Sequence, residues 1–214
     1  MSWPFEPAPE IPYPFRPTPE QPRRADPFIV PTVTEPASDA ATRLFDRRMV
    51  LLNGPLDGSA ATRLCVELMA LDGSSGRGVE VVINSPGGPL TEVASVLDVI
   101  ALMRALVNTT CVGAARGTSA IVLACGTGIR RAAPSAMISL RCDRPESLSG
   151  ITTDIVRQAD ELQLIKVRLG EALVTATGTD GIADEIDMGG IHDATEAQTL
   201  GLIDEIATAE GSDT

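Results

Sequence analysis

The chain has 214 residues, enough for one domain with a well-buried core and too few for two of ordinary size. With 43% hydrophobic and 21% charged residues it is expected to be a soluble globular protein, and a formal net charge of -12 opposes phosphate backbones and anionic lipid, so no nucleic acid and no membrane partner is expected. No run approaches the ~18 apolar residues of a membrane-spanning helix, and no secretory signal is read at the start, which makes a cytoplasmic location the expectation.

From Met1 to about Pro36 proline recurs every two to five residues. Each proline fixes φ and removes a donor, so neither helix nor sheet is expected there. The spacing predicts a disordered proline-rich tail over 1–40, a folded domain over 41–207 and a flexible C-terminus over 208–214. Trp3, Phe5, Tyr13, Phe15 and Phe28 lie in the tail, and Phe45 is the only aromatic residue beyond it. The domain core must therefore be aliphatic, and the tail reads as a linker or a docking peptide.

Beyond the tail the pattern is α/β. MVLLNG and VEVVINS read as short buried strands flanking the helical ATRLCVELMALDG, which makes a βαβ unit. A second helix is expected over roughly Leu90–Leu106, followed by the small-residue segment TTCVGAARGTSAIVLACG and a strand in AMISLR. Thr152–Ala176 carries the longest helical pattern, with Ile155, Leu162, Ile165, Leu169 and Leu173 near one stripe, a length that suggests projection or pairing with a partner. Cys65, Cys111, Cys125 and Cys142 are widely spaced and read as reduced packing residues, with no metal site and no cofactor expected.

Asn84, Ser85, Pro86, Gly87 and Gly88 sit between a strand and a helix, where glycine lets the backbone turn its N–H groups toward a ligand. This turn combines with RLFDRRMVLLNGPLDGSAA before it, and with TTCVGAARGTSAIVLACG, TDIVRQADELQLIKVRL and ATEAQTLGLIDEI after it. Together these segments resemble the proteolytic subunits of the Clp proteases from about Arg43 to Ile206. The resemblance implies a ClpP/crotonase-type spiral of βαβ units, with Thr152–Ala176 as the long handle helix through which heptameric rings stack. It also implies partners: active Clp proteolytic paralogues in the same assembly, and an AAA+ unfoldase.

The family's serine nucleophile, positioned from Cys111 and Gly113 in front and Leu123, Ala124 and Gly126 behind, falls on Gly117, which has no hydroxyl. Its histidine falls on Arg141, or on Cys142 with a different loop length. A guanidinium stays charged and has no acceptor nitrogen, so Arg141 cannot serve as general base. The aspartate falls on Gly189, with Asp187 and Asp193 as neighbouring substitutes. Gly88 and Thr118 match the backbone oxyanion donors. On the strand before the turn, Glu80 and Val82 replace the aromatic residues that help form the unfoldase pocket, which puts docking of a standard ATPase in doubt. The implied function is a catalytically degenerate, non-catalytic ring subunit. Two alternatives stand beside it: a serine peptidase using Ser119 and His192, the only histidine, and a crotonase-like acyl-CoA enzyme.

Overall fold

A computed structural model of the chain describes residues 35–75, 77–142 and 152–208. The proline-rich segment before Glu35, with its five aromatic residues, and residues 209–214 lie outside the described part. Helix α1 runs over Glu35–Asp46, across the boundary expected at residue 40. Pro36 falls in its first turn, where a missing N–H costs nothing, and the alanine-rich residues after it favour helix.

Strand β1 (Met49–Asn53), helix α2 (Gly58–Ser75) and strand β2 (Val79–Ser85) form the expected βαβ unit, with the strands parallel and Val50 paired to Val81. Along β1 and β2 buried and more exposed positions alternate, so Val50, Leu52, Val79, Val81 and Ile83 enter the core while Leu51, Asn53 and Asn84 face outward. Helix α3 follows at Leu90–Leu102, then β3 at Val107–Arg116, α4 at Thr118–Ala124, β4 at Arg130–Ala132 and β5 at Met137–Ser139. After α5 (Thr152–Thr177) come a short 3-10 turn at Ile182–Asp184, α6 (Glu185–Met188), α7 (Ala194–Thr199) and β6 (Glu205–Ile206).

Strand β3 is the spine. Its first half pairs with β4 and its second half with β5, while β2 runs along its other edge and β6 extends the sheet beyond β4, all in parallel. Gly113, at φ 88, stands between the two halves, and the β2–β3 register shifts at the same level. A Cβ there would meet the Asn84 carboxamide at 3.0 Å in a conformation that side chains avoid. Helix α4, buried at every position, packs on β3, α3 and α5. The result is a mixed α/β fold built on a parallel sheet with helices packed against it.

Two buried or part-buried arginines tie the ends of elements together. Arg48 is buried and has φ 62, and its guanidinium donates to the Gly78, Leu71 and Arg77 carbonyls at 2.8–3.0 Å, binding the end of α2 to the start of β2. Such charge-assisted bonds outweigh the ~1–2 kcal/mol of a left-handed residue. Arg130 forms a double link to Asp204 and also donates to the Ala124, Ala176 and Gly201 carbonyls, holding the ends of α4, α5 and α7 together.

Some element bounds differ from the sequence expectation. Helix α3 stops at Leu102, four residues short of Leu106, because Asp72 of α2 accepts from the Arg104 and Ala105 N–H groups at 2.9 Å each and fixes a bend. Helix α5 matches its expected span to within one residue, but its apolar stripe divides. Leu169 and Leu173 are buried in this chain's own core and Leu162 and Ile165 pack partly against it, whereas Val156, Leu164 and Val167 are the exposed apolar residues. All four cysteines are free thiols, and burial pushes Cys111 and Cys125 each up to about 11. Among the described residues no helix is long and apolar enough to cross a membrane.

Candidate active site

Three backbone segments converge at the end of β3. The first is the turn after β2, where Gly87 N–H donates to Ser85 Oγ at 3.1 Å and Leu56 N–H donates to Gly87 O at 3.0 Å. A Cβ on Gly87 would lie 2.3 Å from Arg116 O, and one on Gly88 would lie 2.0 Å from Leu56 O, both backbone atoms. Close approach of three main chains therefore accounts for the diglycine.

The second segment is the turn from β3 into α4. Gly117 sits there at φ 52, ψ -125 as the N-cap of α4, with its N–H donating to Ser139 O at 2.7 Å. A sharp strand-to-helix turn in a strained conformation is how a nucleophile elbow presents its side chain. The residue at this turn, Gly117, carries no side chain. The nearest atoms to a Cβ at that place would be Arg141 O at 3.3 Å, Cys142 Cα at 3.6 Å and Cys142 Sγ at 3.7 Å.

The third segment, which follows β5, lies against this turn. Of the two residues assigned to the histidine place, Cys142 is the one whose side chain faces Gly117 and is buried, while Arg141 is exposed. The Cys142 thiol lies 3.5 Å from Leu140 O, and its N–H donates to Ile186 O at 2.9 Å, which ties β5 to α6. Arg141 brings its carbonyl to the elbow, and among the described residues its side chain forms no ion pair.

Ser119, the alternative nucleophile, is fully buried. Its hydroxyl accepts from Arg116 N at 2.9 Å and lies 2.8 Å from Arg116 O and 2.9 Å from Ser85 O, so it fastens the elbow from inside. That hydroxyl is thus held among backbone groups in the interior. Its suggested partner is committed elsewhere: His192 places Nε2 3.2 Å from Glu185 Oε2 and Nδ1 3.7 Å from Glu196 Oε2. The main chain of His192 forms an antiparallel bridge with Ile138.

Gly189 ends α6, with its N–H on Glu185 O at 2.9 Å. A Cβ there would lie 2.3 Å from that same oxygen and 2.5 Å from Glu185 Oε2. The two neighbouring aspartates are engaged. Asp187 pairs with Lys166 of α5, and Asp193 caps α7 by accepting from the Thr195 and Glu196 N–H groups at 2.9 Å each.

The donors beside the elbow are also arranged differently from the sequence expectation. Gly88 N–H is not open; it donates to Thr118 Oγ1 at 2.8 Å. Glu80 is likewise tied into the outer sheet face, hydrogen-bonded to Thr110 and 4.0 Å from Arg131.

Comparison with known proteins agrees with this architecture. The family model described as Clp protease matches residues 33–210. This chain belongs to the Clp protease family. A relative in Streptomyces coelicolor named as a putative ATP-dependent Clp protease proteolytic subunit-like protein is 35% identical over 79% of this chain and 82% of its own length. ATP-dependent Clp protease proteolytic subunit 2 of the same organism is 29% identical over 90% of this chain and 93% of its own. Proteolytic subunit 1 of Bifidobacterium longum is 31% identical over 87% and 84%. The Clp fold is thus present at nearly full length, with glycine at the elbow and at the end of α6. The sequence placed Gly88 and Thr118 together as backbone donors, but not the bond from Gly88 N–H to the Thr118 hydroxyl, which depends on a side-chain rotamer.

Proposed function

We propose that this chain is a non-catalytic Clp proteolytic subunit, a structural or regulatory member of a ring completed by active paralogues. The observation that carries the proposal is the empty elbow. Gly117 adopts a nucleophile's backbone conformation without a nucleophile, and the hydroxyl of Ser119, two residues on, is buried and fully bonded. The removal of a triad typically costs about a millionfold in turnover, because its members act as a unit. The lost places at Arg141 and Gly189 fit that unit having been given up as a whole.

Ring membership draws support from α5. Its Val156, Leu164 and Val167 are exposed along a 26-residue helix whose other side is buried in the chain's own core, which leaves an apolar face for a neighbouring subunit. The relatives' names describe them as subunits. An AAA+ unfoldase would be met by the active paralogues, since Glu80 of this chain is held by Thr110 and lies near Arg131. The cytoplasm is the proposed compartment, and neither nucleic acid, membrane, metal nor cofactor takes part. The test is purification of the untagged native complex, with subunit identification and a fluorogenic peptide assay. Active Clp paralogues should co-purify, and the isolated chain should cleave nothing. A monomeric chain in the presence of its paralogues, or turnover by the chain alone, would overturn the proposal.

A further inference from the structure

In a strand-to-helix elbow, the N–H of the residue after the turn and a second N–H from a neighbouring loop are the groups that receive the oxygen of an acyl substrate. Here the first is Thr118 N–H and the second belongs to the loop of Gly87 and Gly88. The two approach each other, since a Cβ on Gly87 would lie 3.1 Å from Thr118 N and 3.2 Å from Thr118 Oγ1. The place between them is not vacant. Gly88 N–H donates to Thr118 Oγ1 at 2.8 Å, and that hydroxyl lies 3.2 Å from Gly88 O, so it can both accept from and donate to one residue. Thr118 is fully buried in the first turn of α4, and a β-branched side chain has few rotamers with which to leave.

We propose that the Thr118 hydroxyl is a built-in occupant of the donor pocket beside Gly117: it stands where a substrate's carbonyl oxygen would sit and excludes acyl groups and their oxyanions from the site. The inference deepens the reading of the chain as non-catalytic and rests on it. The site is then closed by two separate changes, a missing nucleophile and a filled pocket, and the return of a serine alone leaves the second in place. Gly88 N–H also stays satisfied without ligand, so the loop keeps its conformation when no substrate is bound.

The test uses four full-length chains: unsubstituted, Gly117→Ser, Gly117→Ser with Thr118→Ala, and Gly117→Ser with Thr118→Ser. Each is exposed to an alkyl fluorophosphonate and followed by intact mass. In the labelling step the new serine oxygen bonds to phosphorus, fluoride leaves, the hydroxyl proton goes to buffer, and the phosphoryl oxygen needs the donors. The chain that adds Thr118→Ala should label about tenfold or more faster than Gly117→Ser alone, given the size of single oxyanion-donor effects. The chain that adds Thr118→Ser, which keeps the hydroxyl, should stay as slow as Gly117→Ser. Equal rates for Gly117→Ser with and without Thr118→Ala, or a Thr118→Ser chain as fast as the Thr118→Ala one, would overturn the inference. A second measurement avoids any substitution at the elbow: in the Thr118→Ala single variant, Gly88 amide hydrogen exchange should quicken about tenfold or more with the loss of its acceptor. Unchanged protection would also overturn it. Labelling of the unsubstituted chain would instead count against the non-catalytic reading, and so the two failures are distinguishable.

Discussion

Substitution of Gly189 by aspartate, which would put a carboxylate at the place that the family resemblance assigns to the third triad residue, is expected to destabilise the fold and fail to restore chemistry. A Cβ at Gly189 would lie 2.3 Å from Glu185 O, against ordinary contacts that begin near 3.4 Å, an overlap of about 1 Å with a backbone atom. That oxygen cannot move away cheaply, because it accepts the Gly189 N–H at 2.9 Å and so closes α6. The new carboxylate would also arrive beside the Glu185 side chain, 2.5 Å from the Cβ position, where like charges repel. Overpacking of this kind costs about 1–3 kcal/mol, which for a chain of this length lowers the melting temperature by roughly 2–12 °C. Gly190 supplies the control, since a Cβ there meets nothing within 4 Å. Thermal melts of Gly189→Asp and Gly190→Asp, with a fluorogenic peptide assay of the triple Gly117→Ser, Arg141→His, Gly189→Asp chain, make the comparison. The first variant should melt clearly lower than the second, and the triple chain should stay inactive. Equal melting of the two variants together with robust cleavage by the triple chain would refute the reasoning.

Replacement of Leu164 and Val167 by aspartate should leave the monomer's melt within about 0.5 kcal/mol of wild type, since both are about half exposed, yet reduce the native complex to smaller species. Leu162→Asp with Ile165→Asp should instead destabilise the subunit itself, because those side chains pack partly on its own core; native mass and melting temperature on the same samples separate the two outcomes. The Arg130 hydrogen bond beside Asp204 is the largest cause holding its carboxyl below the ordinary value of 3.8. A depressed carboxylate contributes stability that is present above the unfolded value and lost as pH falls through the folded one. Asp204→Asn should therefore lower stability at pH 7, with the difference from wild type shrinking as urea midpoints are followed from pH 5 down past 3.8.

The strands and the βαβ unit were legible in the sequence because their signal is local. VEVVINS alternates with a buried face and is bounded by Gly78 and Pro86, and β2 covers those seven residues. The start of the helix ATEAQT was legible too, since Asp193 and Glu196 form a local capping box. Features that depend on contacts between distant residues were not legible. The end of α3 is set by Asp72, some 30 residues earlier, and the Ser119 hydroxyl is held by Ser85 and Arg116 inside the fold. The helical period of α5 was clear, yet periodicity alone does not say which apolar positions meet the chain's own core and which face outward. Of the stripe Ile155, Leu162, Ile165, Leu169 and Leu173 read along this helix, the last four pack at least in part inside the subunit, and Ile155 is not among the residues packed on its core.

The central claim, that the elbow holds no nucleophile and Ser119 does not replace it, is tested most directly by intact-mass measurement of the unsubstituted chain after prolonged exposure to a fluorophosphonate. The expected result is an unchanged mass in both the isolated chain and the native complex, with label confined to the active paralogues. Stoichiometric labelling of this chain at Ser119, located by peptide mapping, would contradict it.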